Sequence, residues 1–407
     1  MELTYFRKGF GLKGAIEGQL ASDYASTIVD RLRANDYTLT LGPLTFRLAR
    51  EFGFCYGVDR AVDYAYETRV KFPDRQLYLV GEIIHNPHVN RKLEQMGIRF
   101  LQQGAEGAFD FSPVTPADVV ILPAFGVTIG DFERLKAIGC VLVDTTCGSV
   151  LNVWKRVDSY ARDGFTALIH GKHYHEETRA TASQVERHPG GRYLVVLNMD
   201  EARQLCDFIE HGGDPAALAK RFAHRHSAGF DFGRDLERIG VANQTTMLSG
   251  ESLAIAEQVR LSMARRYGEA ELPRHFRAFD TICSATQDRQ DAVKALLDEP
   301  LDLMVIVGGY NSSNTCQLAT LVASRGLTGY HIEDAEGIDP AAGTIRHQPS
   351  RAKHEETVTG WLGGATRIGL TAGASTPNNK IGDTVVRICE TAGVELREVL
   401  GEVRGER

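Results

Sequence analysis

The chain has no CxxC pair, no surplus of positive charge and no apolar run long enough to span a bilayer. The first absence excludes the usual zinc-ribbon spacing. Its seven cysteines, Cys55, Cys140, Cys147, Cys206, Cys283, Cys316 and Cys389, are odd in number and widely spaced. That pattern is no disulfide framework, and in a reducing compartment such thiols stay free. A net charge of −7 argues against a nucleic-acid surface. The opening stretch "MELTYFRKGFGLKG" lacks the charged start, apolar core and cleavage site of a signal peptide, and is poor in Ser and Arg for a transit peptide. Cytoplasm is the expected compartment, with no membrane or nucleic-acid partner. What is present is ordinary: 407 residues, 43% hydrophobic and 24% charged, enough for roughly two to four soluble globular domains.

Three of the cysteines share a context. Cys55 follows the apolar stretch Leu48 to Phe54 and precedes a helical pattern of Val58, Ala61, Val62, Ala65 and Tyr66. Cys147 follows Val141 to Val143 and precedes Val150, Val153, Trp154 and Val157; Cys283 follows "FDTI" and precedes Val293, Leu296 and Leu297. About thirty residues after each comes a second apolar run ending in a polar cluster: "LYLVGEIIHN" with His85, "TALIHGKHYHEE" with His175 and Glu177, "LMVIVGGYNSSN" with Ser312, Ser313 and Asn314. A further strand and loop follows in each: "DVVILPAFGV", "RIGVANQTTM" with Asn243, Thr245 and Thr246, and "TRIGLTAGAST" with Ser375. This is a threefold repeat of strand, cysteine, helix, strand, polar loop, strand, polar loop.

Short apolar runs alternating with amphipathic helices indicate α/β units with parallel sheets. Ligands gather at the carboxyl ends of such strands, where all three cysteines and all the polar clusters fall. The expected fold is three similar α/β domains with small parallel sheets, pseudo-threefold around a central cavity. The boundaries are an extension over 1–45, domains over 46–146, 147–282 (with an insertion near 201–237) and 283–395, and a tail over 396–407. Three soft thiolates suit zinc or an iron–sulfur cluster, either one with an open position. The polar clusters are rich in neutral donors, which suits an anion such as a phosphate. Their one prominent carboxylate, Glu177, reads as an acid–base group.

The motifs "FGFCYGVDRAV", "GEIIHN", "VDTTCG", "IHGKHYHEET", "NQTTM", "TICSATQDRQ", "GGYNSSNT" and "TAGAST" occur in that order. Together they resemble the 4-hydroxy-3-methylbut-2-enyl diphosphate reductase family, the last enzymes of the methylerythritol phosphate route to isoprenoids. The resemblance runs from about residue 47 to 390 and is nearest to the longer, cyanobacterial and plant-like branch. It implies one 4Fe–4S cluster with an open iron, held by Cys55, Cys147 and Cys283. It implies reductive removal of the allylic hydroxyl, giving isopentenyl and dimethylallyl diphosphates. Glu177 would deliver the proton, with Thr245 and His175 in the catalytic set. His85, His175, Thr245, Ser312, Ser313, Asn314 and Ser375 would bind the substrate. Shorter members carry a further diphosphate-binding His where this chain has Phe125.

No flavin or nicotinamide site is convincing, so electrons are expected from a ferredoxin- or flavodoxin-type donor. "GFGLKG" (Gly9, Gly11, Gly14) matches GxGxxG without a strand before it, and reads as a docking or flexible segment. The extension has two candidate roles, covering part of a donor-docking face or mediating a homodimer. In "HGKHYHEE", His170 and His173 are set aside and His175 is kept. Two other functions fit a three-thiolate cluster, a non-redox iron–sulfur hydro-lyase and a cluster-based redox sensor. Electron uptake coupled to substrate loss separates the first from the reductase; the sensor would need a recognition element, and none stands out.

Overall fold

Runs such as "LYLV" (Leu77–Val80), "VVIL" (Val119–Leu122) and "LMVIV" (Leu303–Val307) are buried at every position. Strands apolar on both faces belong in sheets covered on both sides, the habit of parallel α/β architecture. The structure, a computed structural model, describes residues 4–104 and 107–395. The tail proposed at 396–407 lies outside the described residues.

The chain divides into two compact units. The first takes in the residues up to Phe10, Arg60–Ile83 and Leu93–Cys283; the second takes in Gly11–Asp59, Ile84–Lys92 and the chain from Ser284 onward. The first unit holds two parallel sheets. One is five-stranded, in the order Tyr5–Phe6, Val141–Asp144, Val119–Leu122, Leu77–Val80, Ile98–Leu101. The other is four-stranded, in the order Phe276–Ala278, Ile239–Asn243, Thr166–His170, Tyr193–Val196. The second unit holds a five-stranded sheet in the order Gly329–Ile332, Leu303–Val307, Arg367–Ala372, Leu44–Leu48, Thr38–Leu41. It is parallel except for the hairpin between its last two strands. A three-stranded antiparallel meander over Ile338–Asp339, Thr344–His347 and Glu356–Thr359 completes it. The α/β class with small parallel sheets is therefore as expected.

One pairing differs from the linear boundaries. The strand before Cys55, Leu44–Leu48, runs parallel to Arg367–Ala372 rather than joining the sheet that contains Leu77–Val80. The extension is likewise divided: Tyr5–Phe6 edges the first sheet, while Ile28, Val29 and Leu32 pack into the second unit's core with Phe46, Val305 and Val385. Strand pairing is non-local, and an apolar run does not record its neighbour.

The helices obey simpler rules. Gly148–Arg162 buries Val150, Val153, Val157, Tyr160 and Ala161 along one face. The segment near 201–237 brings Leu205, Cys206, Ile209, Phe222, Phe232 and Leu236 into one core with Leu194 and Val241.

Candidate active site

Each of the three repeated cysteines stands where a strand has ended and a helix begins. Cys55 precedes the helix Tyr56–Lys71; its N–H donates to the Ala374 carbonyl at 3.2 Å and its carbonyl accepts from the Asp59 N–H at 2.9 Å. Cys147 caps Gly148–Arg162, donating its N–H to the Ala124 carbonyl at 2.8 Å, and its side chain makes no capping bond. Cys283 precedes Ser284–Leu297 and donates its N–H to the Thr245 carbonyl at 3.4 Å. All three are half-exposed and in no disulfide. The positive end of a helix favours a thiolate placed there.

The other thiols are built differently. Cys140, Cys206 and Cys389 are buried. Burial pushes the Cys140 thiol up to about 11, the Cys389 thiol up to about 12, and the Cys206 thiol upward as well. These are protonated, inert core groups. Cys316 lies inside the helix Ser313–Ser324, and its thiol donates to the Tyr310 carbonyl at 3.2 Å.

In the first unit the acid–base candidates meet at strand ends. His175 caps the helix Glu176–Ser183, its Nδ1 accepting from the Glu177 N–H at 3.2 Å, which leaves the neutral ring's proton on Nε2. The Phe125 ring meets His175 edge-on, with centroids 6.2 Å apart. Glu177 is 3% exposed. Its carboxylate accepts two bonds from Thr245, from the N–H at 2.6 Å and from Oγ1 at 3.0 Å. Because the Thr245 carbonyl accepts from Cys283, hydrogen bonds run from Glu177 through one residue to a repeated cysteine. Asn243 is buried, and its Oδ1 has no hydrogen-bond partner among the described residues.

Gln244 organises this region. Its Oε1 accepts from the Lys172 N–H (3.0 Å) and Thr178 Oγ1 (3.1 Å), and its Nε2 donates to Thr246 Oγ1 (2.9 Å). It thus ties the loop holding Thr245 to the loop holding His175. Of the neighbouring imidazoles, His170 turns away: its Nδ1 pairs with Ser252 Oγ at 2.8 Å, and burial lowers its pKa to about 4. His173 is half-buried against the Tyr174 ring.

The second unit supplies neutral donors. Ser312 caps the helix Ser313–Ser324, its Oγ accepting from the Thr315 N–H at 3.4 Å. Ser375 Oγ donates to the His85 carbonyl at 3.2 Å and lies 3.4 Å from Ser312 Oγ. Asn314 Oδ1 accepts from the Ala374 N–H at 2.9 Å, and its Nδ2 donates to Thr286 Oγ1 at 3.4 Å. Ser313 Oγ is buried without a hydrogen-bond partner among the described residues. So the structure brings His85, Ser312, Asn314 and Ser375 into one connected group, with Ser313 at the same helix start. A helix N-terminus lined by hydroxyls is a ready anion site.

Glycines make that group possible. A Cβ on Gly309 would lie 2.7 Å from the His85 carbonyl oxygen. Gly308, at φ +147, approaches Thr376 Oγ1 and Thr315 Oγ1 to 2.6 and 2.7 Å by the same measure. The loop is held from behind by His331, whose Nε2–H donates to the Gly308 carbonyl at 2.8 Å. Neither Gln244, although it lies in "NQTTM", nor His331 stood out in the sequence. The bonds that give each its role reach residues remote along the chain, Lys172 and Thr178 for the one and Gly308 for the other. The glycine pair in "VGGYNSSN" was the one local hint.

The model of the LytB protein family matches residues 46–389. The 4-hydroxy-3-methylbut-2-enyl diphosphate reductase of Gloeobacter violaceus is 50% identical over 395 residues, 96% of this chain and 93% of that one. The reductase of the same name from Thermosynechococcus vestitus is 47% identical over 386 residues, 95% and 94% of the two chains. Among solved structures, one of (E)-4-hydroxy-3-methyl-but-2-enyl diphosphate reductase, described as the terminal enzyme of the non-mevalonate pathway, is 28% identical. It covers 85% of this chain and 99% of its own, with a TM-score of 0.51. The E-1-hydroxy-2-methyl-but-2-enyl-4-diphosphate reductase of Plasmodium falciparum shares the fold, with a TM-score of 0.62 at 21% identity over 84% of this chain and 87% of its own.

Proposed function

The chain belongs to the LytB protein family, and on that premise we propose how its residues carry out the reductive dehydroxylation of 4-hydroxy-3-methylbut-2-enyl diphosphate. It is an oxidoreductase of isoprenoid biosynthesis, acting at the last step of the methylerythritol phosphate route. Two electrons and two protons replace the allylic C–O bond by C–H and release water, giving isopentenyl and dimethylallyl diphosphates.

The donor set fits an iron–sulfur cluster. Three half-exposed thiols at helix starts contrast with three buried, protonated ones, and soft thiolates are the ligands such clusters take. We assign Cys55, Cys147 and Cys283 as ligands of one 4Fe–4S cluster. When bound, that group supplies the electrons and a Lewis-acidic open iron for the leaving oxygen.

The remaining work falls to the protein's own groups. Ser312, Ser313, Asn314 and Ser375, with His85 and His175, bind the diphosphate, and the helix start at Ser313 adds its N–H groups. Glu177 gives its proton to the departing hydroxyl, and Thr245 orients both. The observation that carries this reading is the buried Glu177 carboxylate held by Thr245, whose carbonyl in turn fixes the Cys283 backbone. Electrons arrive from a ferredoxin- or flavodoxin-type donor in the cytoplasm. Among the described residues no helix is long and apolar enough to cross a membrane.

Iron and acid-labile sulfide measured on protein purified without oxygen test the cluster. About four of each per chain are expected, falling sharply in Cys55→Ser, Cys147→Ser and Cys283→Ser. Stoichiometric zinc without sulfide would overturn the redox mechanism. A reduced dye oxidised in step with substrate loss separates the reductase from a hydro-lyase, which consumes no electrons.

A further inference from the structure

Residues 4–10 are bound into the first unit more tightly than a docking tail would be. Tyr5–Phe6 pairs in parallel with Leu142 and Val143, and the Leu142 N–H donates to the Thr4 carbonyl at 2.9 Å. Phe6 packs edge-on against Phe10, and Phe10 against Phe72, with centroids 4.9 and 5.7 Å apart. The Glu67 carboxylate accepts the Phe10 N–H. A Cβ on Gly9 would lie 2.6 Å from the Tyr64 ring, so the first glycine of "GFGLKG" is needed for packing.

This segment reaches the loop that ends in Cys147. The Tyr5 hydroxyl donates to Asp144 Oδ2, and Arg7 Nε lies 3.7 Å from the same oxygen. The other oxygen, Oδ1, accepts the Thr146 N–H at 2.9 Å. Asp144, Thr145 and Thr146 are all buried. The Arg60 guanidinium also donates to the Thr145 and Thr146 carbonyls, and Thr145 Oγ1 donates to the Leu122 carbonyl at 2.6 Å. The peptide groups leading to Cys147 are therefore held by Asp144 and Arg60 together. Tyr5, Arg7, Asp144 and Thr146 also line a cavity of about 650 Å³, so the network borders solvent.

We propose that Tyr5 is a positioning residue for Cys147, acting through Asp144 and the Thr146 N–H to fix the thiol's approach. Its importance rests on the cluster reading above, but its effect on the thiol does not. Removing the hydroxyl leaves that Asp144 oxygen only the half-exposed Arg7 at 3.7 Å and loosens the turn, while the strand pairing that anchors the segment stays. Cys283 stands on a different loop, held by Thr245, and serves as an internal reference.

The test uses full-length Tyr5→Phe and Asp144→Ala. In chelator-treated protein without oxygen, iodoacetamide modification of Cys147 and Cys283 is followed by peptide mass spectrometry. The Cys147-to-Cys283 rate ratio is expected to shift by roughly tenfold in Tyr5→Phe, the size of one hydrogen bond to a charged group, while the melting temperature falls by only a few degrees. In the loaded enzyme the same variant should lose iron to a chelator several-fold faster. Asp144→Ala should move both readings further; if it fails to fold, Tyr5→Phe decides alone. An unchanged ratio, or both thiols speeding up together, would overturn the proposal. Wild-type protein holding neither iron nor sulfide would remove the cluster reading instead, and the thiol ratio would still decide the role of Tyr5.

Discussion

The two units bring different chemistry to their strand ends. In the first, the polar loops converge on one buried carboxylate, Glu177, fixed by Thr245 and flanked by His175. In the second, they converge on hydroxyls and amides, Ser312, Ser313, Asn314 and Ser375, around closely approached glycines. On the function proposed above, the first holds and moves a proton, and the second holds an anion without repelling it. A single fold unit, strand–loop–helix, serves both because the sheet fixes only where loops emerge, and the loop residues decide what they offer.

The largest effect expected from breaking this contrast is at Glu177. Glu177→Gln keeps an oxygen to accept from Thr245 but removes the transferable proton. Turnover in a dye-linked assay should fall by roughly a hundredfold or more, with KM and iron content little changed. A variant with full turnover would take the proton-delivery role away from this residue. The matching change in the second unit is Ser313→Ala. Since the Ser313 hydroxyl has no protein partner among the described residues, its loss should not destabilise the fold. It should raise KM by roughly tenfold or more at nearly constant turnover, the cost of one donor to a charged ligand. A lowered melting temperature with unchanged KM would make Ser313 a structural residue.

The units can also be compared by acid. Each holds a deeply buried imidazole, His170 in the first and His331 in the second, and burial lowers both from 6.5 to about 4. Above pH 6.5 both rings are neutral whether the chain is folded or not, so they do not change stability with pH. Between about 6.5 and 4 the unfolded chain takes up protons that the folded chain refuses. Stability then falls with falling pH, by about 1.4 kcal/mol per pH unit for each ring, and levels off once the folded rings protonate. Denaturant midpoints measured across this range check the slope, which His331→Asn should reduce by one ring's share. An unaltered slope would mean that His331 does not control it. Of the two, His331 adjoins the loop proposed to hold the diphosphate, through Gly308, so KM should rise with the same substitution.

What could be read from the sequence follows the range of the interactions. The context of Cys55, Cys147 and Cys283 was legible because a short apolar run, a turn and a helical period are local patterns. The helix start at Ser312–Asn314 was legible for the same reason. The partner of Leu44–Leu48 was not, since parallel strands meet across long stretches of chain. The strand Tyr5–Phe6 was missed because two residues carry no periodicity, and "GFGLKG" drew attention to a motif whose first glycine serves packing. The roles of Gln244 and His331 could not be read, because side chains that bond residues distant along the chain leave no spacing signature.

The smallest expected effect concerns Phe125, which faces His175 within the first unit. Its place is set by Gly126, whose φ of +77 and close approach to the Trp154 ring leave no room for a side chain. An aromatic edge contact contributes about 0.5–1.5 kcal/mol beyond area burial, and here it steadies the ring whose Nδ1 already accepts from Glu177. Phe125→Leu keeps the bulk and removes the edge contact. KM for the diphosphate should therefore rise roughly two- to tenfold while turnover holds, because His175 is loosened but Glu177 remains fixed by Thr245. If turnover falls instead and KM stays, the His175 ring acts on the proton rather than on the anion. The division between a proton-handling first unit and an anion-holding second unit would then be sharper than the residue roles proposed above.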